Sequence, residues 1–240
     1  MKLTFLGTRG YTEPRNPRHM MHSSMKVSTA RGSITIDCGE DWLGRNGEWD
    51  TDAILVTHAH PDHAWGLKAG APCPVYATAD SWLAMANFKI EERREVDNRH
   101  RRRVAGITFE AFRVEHSTRA PAVGYRVTAG GKTIFYAPDL VYIYDRSEAL
   151  SGAVAYVGDG ATLARPMVRK RGESLIGHAP MRTQLTWCQK ELVPAAIFTH
   201  CGSHIVGGDE DAVVGKLEEM ARERGVAVAV AFDGMEIELP

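Results

Sequence analysis

The segment AILVTHAHPDH, residues 53–63, constrains the fold more than any other part of the chain. A short β-branched apolar run reads as a strand ending near Thr57. Three histidines and an aspartate follow within six residues: His58, His60, Asp62 and His63. His58 and His60 leave the strand in extended chain, where positions two apart face the same way. Pro61, with its fixed φ and no N–H, suits the first position of a helix. Asp62 and His63 then fall in the first turn of that helix and point away from the first pair. One corner thus offers two ligands to one metal ion and two to a neighbour. Imidazole and carboxylate suit zinc, and also manganese or iron.

Other apolar runs predict strands at 2–6, 33–37, 107–114, 122–127, 132–137, 153–158, 195–199 and 226–232. TAGGKT (128–133) reads as a hairpin turn, with Gly130 and Gly131 free to take positive φ. Helices are predicted at about 78–94, 180–192 and 209–224, the last opened by the acidic run DEDA. Strands mixed with helices point to sheets covered by helices, and 240 residues fit a single domain, 1–240. A hydrophobic share of 44% supplies a sizeable core, and a net charge of −1 gives no global field for nucleic acid or anionic membrane. No apolar run reaches the roughly 18 residues of a spanning helix. The opening MKLTFLGTRG is too short in apolar length for a signal peptide. Cys38, Cys73, Cys188 and Cys201 form no CxxC pair, as expected for buried thiols in a reducing cytoplasm.

THAHPDH after a hydrophobic strand resembles the HxHxDH signature of the metallo-β-lactamase superfamily. FLGTRG, ITIDCGED (34–41), VEHST (114–118), FYAPDL (135–140), YVGDGATL (156–163), IGHAPM (176–181), IFTHCGS (197–203) and AFDGMEIEL (231–239) follow in the order expected of that superfamily. The order is most similar to the branch containing ribonuclease Z and the small cyclic-phosphate phosphodiesterases. The resemblance implies an αββα sandwich, two mixed β-sheets face to face with helices outside. It implies two divalent metal ions, zinc first, held by His58, His60, His116 and Asp139 at one centre and by Asp62, His63, Asp139 and His200 at the other. A carboxylate shared at Asp139 is chemically sensible for cations about 3.5–4 Å apart. His204 follows the same strand as His200 and competes with it; His200, directly at the strand end, is preferred. Asp37 is expected to orient a ligand imidazole rather than bind metal. Ribonuclease Z pairs a "HEAT" glutamate with a "HST" histidine beside its metals, and here Asp159 and His178 stand at those positions. The implied catalytic residues are His178, Asp159 and Asp62. His178 would donate a proton to the leaving oxygen, its charged form favoured by Asp159. As a bland alternative, His178 caps the helix at 180–192.

The expected activity is hydrolysis of a small phosphodiester, cyclic ones included, by a metal-bridged hydroxide. Alternatives are a ribonuclease Z-like nuclease and a hydrolase of esters, lactones or thioesters. Ribonuclease Z carries a long arm between the third histidine motif and the bridging aspartate; here only one hairpin separates His116 from Asp139, which disfavours nucleic acid as partner. The run RHRRR, with Arg99, Arg101, Arg102 and Arg103, is either a phosphate site or a solvated loop edge. Arg15, Arg18, His19 and His22 in the loop 8–24 are candidates to touch a substrate phosphate or a neighbouring subunit. Trp65, Tyr142 and Tyr144 are candidate pocket walls. A homodimer without membrane contact is expected.

Overall fold

The computed structural model describes residues 1–239. In chain order the strands are β1 (Lys2–Gly7), β2 (Ser24–Thr29), β3 (Gly32–Ile36), β4 (Ala53–Leu55), β5 (Val75–Ala77), β6 (Arg93–Glu95), β7 (Arg101–Val104), β8 (Ile107–Glu115), β9 (Ala122–Ala129), β10 (Lys132–Tyr136), β11 (Tyr142–Ile143), β12 (Ala155–Asp159), β13 (Met167–Arg171), β14 (Ser174–His178), β15 (Ala195–Thr199), β16 (Ala227–Val230) and β17 (Glu236–Glu238). The α-helices are α1 (Pro61–Ala64), α2 (Ala79–Ala84), α3 (Arg146–Leu150), α4 (Met181–Lys190), α5 (Ser203–Val206) and α6 (Glu210–Arg222).

One mixed sheet runs β17-β1-β2-β3-β4-β5-β6, and the second runs β11-β8-β9-β10-β12-β15-β16, with β7 paired to β8. Alternation along each strand puts one set of side chains between the sheets. Leu3, Phe5, Val27, Ile34 and Ile36 from the first meet Phe109, Tyr125, Ile134, Tyr136 and Val157 from the second. The other face of the second sheet buries Phe112, Phe135, Tyr156 and Phe198 under Leu185 and Trp187 of α4 and Leu217 of α6. The other face of the first sheet carries a smaller cluster around Ile54, Val56, Leu67, Val75 and Met85. This is the αββα sandwich expected from the sequence.

The nine predicted strands are present within two residues of their expected ends, and the turn between β9 and β10 has both glycines at positive φ. The helix predicted over 78–94 is a correction. Thr78 caps it, accepting from the Ser81 N–H, but it stops at Ala84. The Arg93 guanidinium then ties down the carbonyls of Ala86 (3.1 Å) and Phe88 (2.7 Å). Residues 93–95 pair in parallel with β5, whose open edge offers hydrogen bonds that a longer helix would leave unmade. Cys38, Cys188 and Cys201 are buried, and all four cysteines are free thiols. No helix among the described residues is long and apolar enough to cross a membrane.

Candidate metal centre and its proton-donor pair

β3 and β4 run parallel, as do β10, β12 and β15, so the C-terminal ends of each set share one edge of the sandwich. Asp37 and His58 leave the first sheet at that edge; Asp139, Asp159 and His200 leave the second. β8 is antiparallel to β9 and β9 to β10, which brings the end of β8, and hence His116, to the same edge. Asp37 and His200 both take left-handed backbone, at φ 65° and 54°, an uncommon conformation for non-glycine residues, and here it turns each chain sharply at its strand end. Pro61 opens α1 and the His60 carbonyl accepts from the His63 N–H at 3.1 Å, so the corner drawn from the sequence forms as expected.

His58, His60, His116 and Asp139 converge as one group, Asp62, His63 and His200 as another, and Asp139, Asp159, His178 and His200 as a third that overlaps both through Asp139 and His200. Asp139 reaches both: its Oδ2 is 3.6 Å from His58 Nε2 and 3.7 Å from both His63 Nε2 and His200 Nε2. Hydrogen bonds from outside fix the rings. The Thr57 hydroxyl donates to Asp37 at 2.9 Å, so its oxygen accepts from His58 Nδ1 at 3.1 Å and leaves the His58 Nε2 lone pair facing inward. His63 Nδ1 donates to Asp37 Oδ2 at 2.9 Å, which turns its Nε2 toward the Asp62 carboxylate 3.5 Å away. Asp37 is thus the orienting carboxylate anticipated from the sequence.

These nitrogens and oxygens are short of positive charge. His58 Nε2, His60 Nδ1 and His116 Nε2 stand 3.0 and 3.2 Å apart along the chain of contacts, nitrogen against nitrogen. Burial and His116 push His60 down to about 4, and burial and His63 hold His58 well below the usual range, so both are neutral imidazoles ready to donate electron pairs. On the other side burial opposes protonation, yet Asp139, Asp159 and Asp62 outweigh it and lift His200 to about 10. His63 is raised in the same manner by Asp62 and Asp37. His63 Nε2, Asp139 Oδ1 and His200 Nδ1 are buried without a hydrogen-bond partner. Divalent cations would satisfy this donor set, four groups around one ion and the Asp62, His63, His200 and Asp139 groups around a second. His204 belongs to neither group among the described residues.

Asp159 and His178 complete the edge. His178 Nδ1 is 2.9 Å from Asp159 Oδ2 and 2.9 Å from Asp139 Oδ1, and its ring lines a pocket of about 450 Å³ above the two groups. Burial lowers the affinity of His178 for a proton, but Asp139 and Asp159 outweigh it and raise it to about 11. Asp159 is held in turn: its Oδ2 accepts from the Leu140 N–H (3.1 Å) and its Oδ1 from the Ala161 N–H (2.8 Å). A residue not singled out from the sequence, Gln184 of α4, secures the pair from below. Its amide donates to the carbonyls of Asp159 and Ala179, both at 2.8 Å, and its oxygen accepts from the Asp159 N–H (2.9 Å) and the Tyr156 hydroxyl (2.8 Å). One buried side chain therefore fastens the strand end bearing Asp159 to the residue after His178.

Several expected contacts fall elsewhere. Arg15 pairs with Asp41 (3.0 Å), Arg18 with Glu210 (3.1 Å) and His22 with Asp41 (2.7 Å), while His19 bonds the Thr8 hydroxyl (2.7 Å). They anchor the loop 8–24; its Gly10, Tyr11 and Thr12 are what reach the pocket. Trp65, Tyr142 and Tyr144 do not line it: Lys68 Nζ sits 3.1 Å over the Trp65 ring, and the two tyrosines pack edge to face at 6.0 Å. Arg99 is engaged with Glu110, Asp145 and Glu148, and Arg101 with Glu110.

Two facing mixed sheets with this edge define the metallo-β-lactamase fold. The metallo-beta-lactamase fold protein YhfI from Bacillus subtilis superposes with a TM-score of 0.74 at 17% identity over 98% of both chains. Zinc-bound PqqB from Methylobacterium extorquens gives 0.74 at 18% identity over 100% of both chains. A diphosphatase from the PhnP family gives 0.74 at 21% identity over 100% of this chain and 98% of its own. The chain belongs to the beta-lactamase superfamily, whose domain model matches residues 33–201. In sequence it is similar to exodeoxyribonuclease WalJ of Streptococcus pneumoniae serotype 2, 32% identical over 52% of each chain. It is also similar to ribonuclease Z of Methanopyrus kandleri, 29% identical over 52% of this chain and 49% of that one. The chain thus spans about half the length of the curated relatives it matches.

Proposed function

We propose that this protein is a metal-dependent hydrolase of phosphodiesters. The observation that carries the reading is the His178–Asp159 pair, set beside Asp139 at the wall of the pocket. Two divalent cations, zinc first and manganese or iron as alternatives, would be held by His58, His60, His116 and Asp139 and by Asp62, His63, His200 and Asp139. Bound there, they would supply an activated water and offset the negative charge that builds on phosphorus. The chain's own residues do the rest. Asp37 and Thr57 keep His58 and His63 in the ligating tautomer. Asp159 presents His178 with Nδ1 committed to the Asp159 carboxylate, which leaves the other ring nitrogen to protonate the departing oxygen. Zinc in PqqB, the diphosphatase of like fold and the two nuclease relatives support this reading.

Hydrolysis of an ester, lactone or thioester on the same groups is the second reading. The proton donor weighs against a thioester, because an alkoxide leaving a phosphodiester needs a proton whereas a thiolate leaves well without one; an ester or lactone, which also expels an alkoxide, is separated by turnover alone. Turnover of bis-p-nitrophenyl phosphate and of a thioester, measured side by side on metal-analysed protein with and without chelator, tests the choice. Chelator-sensitive phosphodiester turnover is expected. Thioester turnover with none of the diester would overturn the proposal.

A further inference from the structure

β13 and β14 form a two-stranded hairpin that joins neither large sheet. Nothing in the sequence had marked it, because the segment RPMVRKRGE has no apolar face to bury. Its register places Met167 opposite His178, Arg169 opposite Ile176 and Arg171 opposite Ser174. Directly opposed residues in an antiparallel pair point to the same face. Met167 and His178 both line the pocket. The face that carries the proton donor therefore continues outward through Arg169 and then Arg171, at successive steps of about 7 Å along the strand.

Both arginines are exposed, as are Arg165 and Lys170 on the same hairpin. Among the described residues no carboxylate lies within 4.0 Å of any of the four. The contrast with the other basic run is direct, since Arg99 and Arg101 are already engaged by Glu110, Asp145 and Glu148. Unpaired cations in a row leading away from a phosphodiester pocket match the repeating charge of a phosphate backbone. Tyr11, 72% exposed, also lines the pocket; its ring lies stacked toward His22 at 6.3 Å and offers its other face to a base. The candidate reactive groups line a pocket of about 450 Å³, room on the order of one nucleotide of an unpaired chain.

We infer that the Arg169–Arg171 face of the hairpin is the binding track for a single-stranded nucleic acid whose scissile phosphodiester is lowered into the pocket beside His178. This names the substrate class of the proposed phosphodiesterase and rests on that reading for the chemistry, though not for the binding. It also supplies, from a different part of the chain, the cationic element that the spacing between His116 and Asp139 does not provide.

The test uses a short fluorescein-labelled oligothymidylate. Binding is read by anisotropy on chelator-treated protein, and turnover of bis-p-nitrophenyl phosphate on metal-loaded protein. The double variant Arg169→Ala/Arg171→Ala should weaken oligothymidylate binding at least about tenfold at low salt and lower the log–log salt slope by about 1.4, some 0.7 per lost phosphate contact. Its turnover of the small diester should stay within about threefold. The control Arg102→Ala/Arg103→Ala removes equal charge from β7, which pairs with the opposite end of β8 from His116, and should change neither. The inference is overturned if the wild type does not bind oligothymidylate, if Arg169→Ala/Arg171→Ala binds as the wild type does, or if the control loses as much. Intact, hairpin-dependent binding without small-diester turnover would instead overturn the proposed chemistry and leave the track standing.

Discussion

At the scale of single residues, His178 has the most specific role and the sharpest test. Removing it should leave the proposed ligands His58, His60, His116, Asp62, His63, His200 and Asp139 in place, although His178 also stands with Asp139, Asp159 and His200 as a third candidate group, so metal content must be measured in the variant. An alkyl phosphodiester needs a proton on its leaving oxygen, so His178→Ala should lower kcat for such a substrate by about 10²–10⁴-fold. A p-nitrophenyl diester departs as a stable anion and should lose much less. Equal slowing of both, with metal content unchanged, would make His178 a binding residue and not an acid. Asp159 and His178 were legible in the sequence because each lies within a short motif, YVGDGATL and IGHAPM, that falls in a recognisable order. Gln184 was not, because a lone glutamine in a predicted helix reads as solvent-facing. Only when α4 lies across β12 do its four hydrogen bonds close on buried partners.

At the scale of elements, the hairpin β13–β14 shows what sequence patterning misses. Strands betray themselves by an apolar face, and β13 is exposed at every residue. β6 was missed for the same reason, being three charged residues on a sheet edge. The hairpin is held by geometry instead. Gly177 sits at φ +121°, and a Cβ there would lie 1.8 Å from the Met167 carbonyl oxygen. Only glycine lets the strands approach so closely just before His178. Gly177→Ala should therefore cost on the order of 1–3 kcal/mol, seen as a lowered Tm, and should also depress turnover of poor leaving groups by displacing His178. Gly172→Ala at the hairpin tip is the comparison: φ is +61° but nothing lies within 4 Å, so the loss should be smaller and turnover spared. If the two variants behave alike, the close approach at Gly177 is not what positions the histidine.

For the molecule as a whole, the site is a seam: Asp37, His58 and His60 come from the first sheet's strand ends and Asp62 and His63 from α1 just beyond them, while His116, Asp139, Asp159 and His200 come from the second sheet's strand ends. The nine strands with apolar runs were legible because burial imposes their pattern locally. Their order across each sheet was not, since β1 pairs with β17 from the far end of the chain and β12 lies between β10 and β15 only by tertiary choice. The carboxylates of that seam carry the negative charge that cations at the proposed metal centre would offset. Chelation should thus lower Tm by on the order of 10 °C when free metal had stood about a thousandfold above its Kd, a linkage of about 4 kcal/mol at 2–4 °C per kcal/mol. A scan unchanged by chelator, on protein shown to have held metal, would refute that coupling. One more contact acts across the chain's full length. Asp233 accepts from the Thr8 N–H and hydroxyl with one oxygen (2.9 and 2.6 Å) and from the N–H groups of Met20 and Met21 with the other (both 2.8 Å), so it fastens both ends of the loop that carries Tyr11 to the pocket. The rim of the pocket therefore depends for its position on a carboxylate more than 200 residues further along the chain. The doorway and the ligands are thus set by separate contacts, since Asp233 is not among the groups that would hold metal.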